Sequence, residues 1–132
     1  MLRQLIASES GRLRLGVTAF FLTHPEQAKV ANETLKILDP RSAALLKFYY
    51  MAAVYLQLLW GKALGADSLL PDYFSQEQKL PKPNLQNSRL GLAALEEKLQ
   101  ASFGQPFNFL SRFDSLVRLL GAERLSETTG SS

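Results

Sequence analysis

The sequence predicts an all-α, single-domain bundle of about five helices around a buried central helix. The stretch from Ala43 to Trp60 is apolar or aromatic on nearly every side of a helix. Such a helix must be surrounded either by other helices or by lipid. On both sides of this stretch, apolar residues recur at the three- and four-residue steps of amphipathic helices. A chain of 132 residues can bury these faces in one core, so we take residues 1–132 as one domain.

Burial within the bundle is the preferred interpretation of the central stretch, and we expect no membrane span. A bilayer crossing usually needs roughly 20 consecutive apolar residues. This stretch is shorter and contains Lys47 and Gln57.

Prolines, glycines and capping residues set the predicted helix boundaries. Thr23-His24-Pro25-Glu26 has the pattern of a capping box, in which a threonine cap is followed three residues later by a glutamate. Asp39-Pro40 is typical of a helix start, because aspartate caps and proline fits the first turn. The predicted helices are Leu2–Leu22, a second up to about Leu38, Pro40–Leu64, Ser88–Phe103 and Pro106–Leu120.

For two of these helices, the sequence predicts which residues face the core and which face outward. On the first, Arg3, Arg14 and Thr18 follow the outer stripe, opposite to the large apolar residues. On the fourth, the predicted buried residues are Leu90, Ala93, Ala94, Leu95, Leu99 and the less certain Leu92.

The segment 65–87 is predicted to be a long loop. Its Leu80-Pro81-Lys82-Pro83-Asn84 stretch should run extended, and a short helix is expected around Asp72–Gln78. Loops of this length are often functional. Residues 122–132 are small and polar, which is typical of a surface tail.

The sequence contains no recognisable catalytic or metal-binding motif. There is no cysteine, which excludes disulfides and thiolate sites and fits a reducing cytoplasm. The only histidine is His24, and bundle metal sites use repeated Glu-x-x-His steps. No nucleophile elbow or phosphate loop occurs. We therefore expect a cytoplasmic protein that is not an enzyme and has no cofactor or metal.

Basic residues are the main functional signal. The net charge is +3, and arginines recur on the predicted outer sides of the first and last helices. Arginine and lysine on a rigid helical face can bind phosphate without reading base sequence. The alternative is an ordinary charged surface. The candidate nucleic-acid-binding residues are Arg3, Arg12, Arg14, Lys79, Lys82, Arg89, Arg112 and Arg118.

The pair Tyr73-Phe74 is a second candidate site. Flanked by prolines and charges, these aromatic residues could anchor a protein partner. Packing of the loop back onto the bundle is the favoured alternative, because large apolar groups tend to be buried.

The chain resembles the small all-helical subunits of CRISPR antiviral effector complexes. The resemblance covers the bundle and lies in the arginines of LRQLIASESGRLRLG, the aromatic helix LLKFYYMAAVYLQLLW and the basic helix FLSRFDSLVRLL. It implies a short non-catalytic subunit that contacts a guide–target duplex or a displaced strand.

The function predicted from the sequence is a non-catalytic subunit of a nucleoprotein complex, with a nucleic-acid backbone (RNA or DNA) and other protein subunits as partners. The alternative is a helical adaptor, chaperone or oligomerisation module, which would self-associate or bind another protein through an apolar face.

Overall fold

The computed structural model describes residues 11–64 and 69–103, with side chains for 16–59 and 69–102. This part of the chain is helical and contains no strand, so the predicted all-α class is confirmed there. The predicted helix at 106–120, the tail at 122–132 and the start of the first helix lie outside the described residues. The α-helices are α1 (Gly11–Thr23), α2 (Lys29–Leu35), α3 (Pro40–Leu64) and α4 (Ser88–Phe103).

Helix α3 has the bounds that its sequence predicts. The Asp39 carboxylate accepts a hydrogen bond from the backbone N–H of Ser42 at 2.7 Å, which is the expected N-cap. This hydrogen bond is the main reason that the pKa of Asp39 lies below its ordinary value. Every residue from 48 to 57 is buried, because α3 packs against α1, α2 and α4.

The predicted capping box at Thr23–Glu26 is wrong. Helix α1 continues through Thr23, whose hydroxyl donates to the carbonyls of Ala19 and Phe20 at 2.9 and 3.2 Å. The hydroxyl therefore bonds back within α1 and does not cap α2. A short 3₁₀ turn, Pro25–Gln27, connects the two helices, and no side chain caps α2.

The predicted outer position of Thr18 is also wrong. Thr18 is fully buried with Val17, Phe21 and Leu22, on the side of α1 that meets α3. Its hydroxyl donates to the backbone carbonyl of Tyr49 at 2.6 Å. A buried hydroxyl needs such a partner, so this bond explains how a polar residue occupies the contact between α1 and α3.

Helix α4 has the predicted bounds but a rotated buried face. Leu92, Leu95 and Leu99 are buried as predicted. Leu90 is 64% exposed and Ala93 is exposed, so their predicted burial is wrong. The helix turns Gly91 inward instead, where an added Cβ would lie only 2.2 Å from the ring of Tyr55. The absence of a side chain at Gly91 lets α4 approach α3 closely, which fixes the register.

Candidate functional site: a proline-containing strap on the central helix

The segment 69–83, which we call the strap, is held against α3 by contacts at both ends and in the middle. It meets Gln57 and Tyr50 through Leu70 and Pro71, reaches Lys47 through Glu77, and returns to Tyr55 through Pro81. The strap therefore runs toward the N-terminal end of α3 and folds back along it. The predicted long loop is present over the described residues 69–87, and its strap is fixed to the central helix.

Three polar side chains of the otherwise apolar helix α3 anchor the strap. The hydroxyl of Tyr50 donates to the Pro71 carbonyl at 2.6 Å, and that of Tyr55 donates to the Pro81 carbonyl at 2.5 Å. The Gln57 side-chain oxygen accepts the N–H of Leu70 at 2.6 Å. Burial raises the pKa of both tyrosines, that of Tyr55 to about 12. A tyrosine hydroxyl is already protonated at neutral pH, and burial reinforces this, so both groups act as donors.

The middle of the strap is a single capped turn, where the sequence predicts a short helix around Asp72–Gln78. At its start, the Asp72 carboxylate accepts hydrogen bonds from the N–H and the hydroxyl of Ser75. At its end, the N–H of Leu80 bonds the Ser75 carbonyl at 2.8 Å. The N–H of Lys79 bonds the Gln76 carbonyl at 3.3 Å, which completes a Schellman motif with Lys79 at its left-handed position.

We expect Lys79→Gly to stabilise the protein by about 0.5–1 kcal/mol. Lys79 has a φ of 55°, a conformation that costs a side-chain-bearing residue about 1–2 kcal/mol. The greater freedom of glycine in the unfolded chain offsets about 0.5–1 kcal/mol of that gain. Urea unfolding measures the difference. The control is Lys82→Gly, which removes the same charge from the extended part of the strap and should not stabilise.

The two aromatic residues of the strap face the core. Phe74 is 5% exposed and Tyr73 is half-buried, stacked on Tyr50 with 5.4 Å between ring centroids. Phe74 also meets the edge of Tyr50 at 5.4 Å. This arrangement agrees with the alternative that the sequence favours, in which the loop packs onto the bundle. Phe74 is therefore too deeply buried to act as the exposed partner anchor that the sequence suggests.

The cations of this region, in contrast, face solvent. Lys79, Lys82 and Arg89 are exposed, and no carboxylate in the part that the structure describes pairs with them. The Asn87 side-chain amide donates to the Lys82 carbonyl at 3.2 Å, which ties the end of the strap to the start of α4. The three positive charges thus lie on a continuous stretch of backbone that is fixed to the domain.

The remaining predicted cations lie beyond the described side chains. Arg12 and Arg14 lie in α1, but the structure does not describe their side chains. Arg3, Arg112 and Arg118 fall outside the described residues altogether. The strap and the first turn of α4 therefore form the basic surface whose side chains the structure describes.

His24 forms a contact of 3.3 Å from its Nδ1 to the Glu26 carboxylate, and both side chains are exposed. Among the residues described, no three histidine or carboxylate side chains converge in a way that could hold a metal ion.

The sequence reasoning did not identify Gln57 or the two tyrosine hydroxyls as anchors of the strap. One signal was present. Polar atoms inside an otherwise apolar, buried helix need partners, and the neighbouring loop, with its three prolines, can offer carbonyl acceptors.

The comparisons do not assign a family: no protein-family model matches the chain, and neither curated proteins nor solved structures gave a match. Within the described residues, the stretch Pro40–Leu59 of α3 is long and apolar enough to cross a membrane, and 67% of its 18-residue apolar segment is buried inside the protein. The core helix of a soluble bundle meets the same criteria.

Proposed function

We propose that this chain is a non-catalytic helical subunit of a nucleoprotein complex and that it binds the phosphate backbone of nucleic acid. The observation that carries the proposal is the set of three exposed cations without carboxylate partners, Lys79, Lys82 and Arg89. The resemblance to the small subunits of CRISPR effector complexes is consistent with this role and suggests antiviral defence as its setting.

The strap supports this role because it limits the entropy lost on binding. Long side chains on a mobile loop must be ordered when they meet phosphate, which lowers affinity. Here the backbone on both sides of Lys82 is fixed, by the Tyr55–Pro81 bond and by the Asn87 amide. Cations on such a support can follow a phosphate backbone without contacting base edges.

The proposed bundle has five helices, with four of them packed around α3. Residues 106–120 would form the fifth, with Phe109, Phe113 and Leu116 directed inward as their spacing predicts. Arg112 and Arg118, together with Arg3, Arg12 and Arg14 near the other end of the chain, would extend the basic surface.

Reversing two charges on the strap should weaken binding at least tenfold. We expect this from the double variant Lys79→Glu/Lys82→Glu with a fluorescently labelled single-stranded RNA and with a duplex. Affinity should also fall steeply with salt in the unchanged protein, because each phosphate contact releases counterions. The variant should show a shallower salt dependence, with the slope reduced by roughly one per lost contact.

The matched control is Lys29→Glu/Lys36→Glu, which makes the same change in net charge at two exposed lysines near α2. It should bind much more tightly than the strap variant. Equal losses in the two variants would show that only net charge matters. Binding that does not respond to salt, or no binding at all, would contradict the proposal.

A helical adaptor that binds another protein is the second candidate. The exposed leucines at the end of the strap and the start of α4 favour it, since Leu85 is 68% and Leu90 64% exposed. An adaptor would retain one protein partner after nuclease treatment in high salt, and replacing both leucines with serine would release that partner.

A further inference from the structure

The outer face of α4 carries an arrangement of charges that helix stability does not explain. Its exposed residues include Arg89, Leu90, Ala93 and Glu97, which the helical repeat brings to one side. Arg89 lies near the positive end of the helix dipole and Glu97 lies in its second half. The first turn of α4 contains no acidic residue, and the last turn contains no basic one. Arg89 therefore opposes the helix dipole, which favours acidic groups at this end.

Both charged groups are also unpaired within the described part of the protein. No ion pair involving Arg89 or Glu97 is found there. Between them, Leu90 exposes most of its side chain and Ala93 leaves the centre of the face flat. A face with an apolar middle, a positive charge toward one end and a negative charge toward the other is complementary to a second copy of itself that is turned around.

We propose that a second copy of this chain packs its α4 antiparallel onto this face, about a two-fold axis close to Ala93. Arg89 and Glu97 each lie four residues from Ala93, which is about 6 Å along the axis. Reversal therefore brings Arg89 of one copy level with Glu97 of the other, at both ends of the contact, so that in the dimer phosphate binding falls to Lys79 and Lys82 of the strap. The small side chain of Ala93 lets the helices come close, and Leu90 becomes covered.

The symmetry makes the contact closed and limited to two copies. In a two-fold contact the same patch is used on both subunits, so no further copy can add. A single pair of short helices buries less than a standard interface. The dimer should therefore dissociate in the micromolar range.

The test measures molar mass by analytical ultracentrifugation over a range of protein concentrations. The unchanged protein should approach twice its monomer mass at high concentration. Arg89→Glu places four acidic groups at the contact and Glu97→Arg places four basic groups there, so each variant alone should remain monomeric. An equimolar mixture of the two variants restores every opposite-charge pair, and should form heterodimers as readily as the unchanged protein.

Circular dichroism first establishes that each variant folds, and rescue by mixing then separates charge repulsion from any other effect of the substitutions. Lys36→Glu, on a different surface, should leave the dimer unaffected. A protein that is monomeric at all concentrations would overturn the proposal. So would single variants that still dimerise, or a mixture that stays monomeric. Loss of RNA binding in Arg89→Glu with an unchanged mass would assign Arg89 to nucleic acid alone.

Discussion

Tyr50→Ala should lower the free energy of unfolding by about 4 kcal/mol, as large-to-small changes of buried aromatic residues do. The ring of Tyr50 is completely buried and joins three parts of the structure. It meets Phe21 of α1 at 4.9 Å, and it contacts both Tyr73 and Phe74 of the strap. Its removal leaves a cavity where α1, α3 and the strap meet.

The matched variant Tyr50→Phe separates ring packing from the hydrogen bond. It keeps the ring but removes the donor to the Pro71 carbonyl, which should cost about 1 kcal/mol. Urea unfolding measures both values, and limited proteolysis should show faster cleavage within the strap in Tyr50→Ala than in Tyr50→Phe. A loss below 1 kcal/mol for Tyr50→Ala would contradict the role of this ring.

Gly91→Ala should destabilise the protein by about 2 kcal/mol, although alanine is the better helix former. The gain in helix propensity is about 1 kcal/mol. Against it stands the clash of the new Cβ with three ring atoms of Tyr55, at 2.2, 2.3 and 2.6 Å. The ring is buried and its hydroxyl is bonded to Pro81, so the helix must move. Overpacking of this kind costs about 3 kcal/mol at the upper end of its usual range.

A second change at Tyr55 identifies the cause. Tyr55→Leu removes the part of the ring that meets the new methyl group, so Gly91→Ala should cost clearly less in that background, which a double-mutant cycle measures. Gln100→Ala, at an exposed position of the same helix, should change stability by no more than about 0.5 kcal/mol. Stabilisation by Gly91→Ala would mean that α4 does not approach α3 at this point.

The elements that the sequence predicted well are those with strong local signals. The bounds of α3 follow from the Asp39-Pro40 start and from a run of apolar residues too continuous for a surface helix. Ser88–Phe103 was predicted with the correct bounds because Gly104 and the prolines before it limit the helix on both sides.

The errors occurred where a tertiary contact decides the outcome. Leu90 is exposed and Gly91 is buried, because the ring of Tyr55 needs space that only glycine leaves. Thr18 is buried because the Tyr49 carbonyl accepts its hydroxyl. Neither contact can be read from hydrophobic periodicity, since each joins residues that are far apart in the chain.

The candidate site was predicted in part. Lys79, Lys82 and Arg89 were selected from charge alone, and they are exposed, but their binding role remains a prediction. The strap that supports them was expected only as a loop. Its anchors, Tyr50, Tyr55 and Gln57, lie in α3, where the sequence indicated nothing beyond burial.

Purification of the tagged chain from its native host tests the proposed function most directly. Proteins and nucleic acids that co-purify at low salt, without crosslinking, are identified and quantified with and without nuclease. The proposal predicts stoichiometric, nuclease-sensitive RNA or DNA together with several other subunits, and loss of the nucleic acid in Lys79→Glu/Lys82→Glu but not in Lys29→Glu/Lys36→Glu. A single protein partner with no nucleic acid would contradict it, and the exposed cations would then be an ordinary solvated surface.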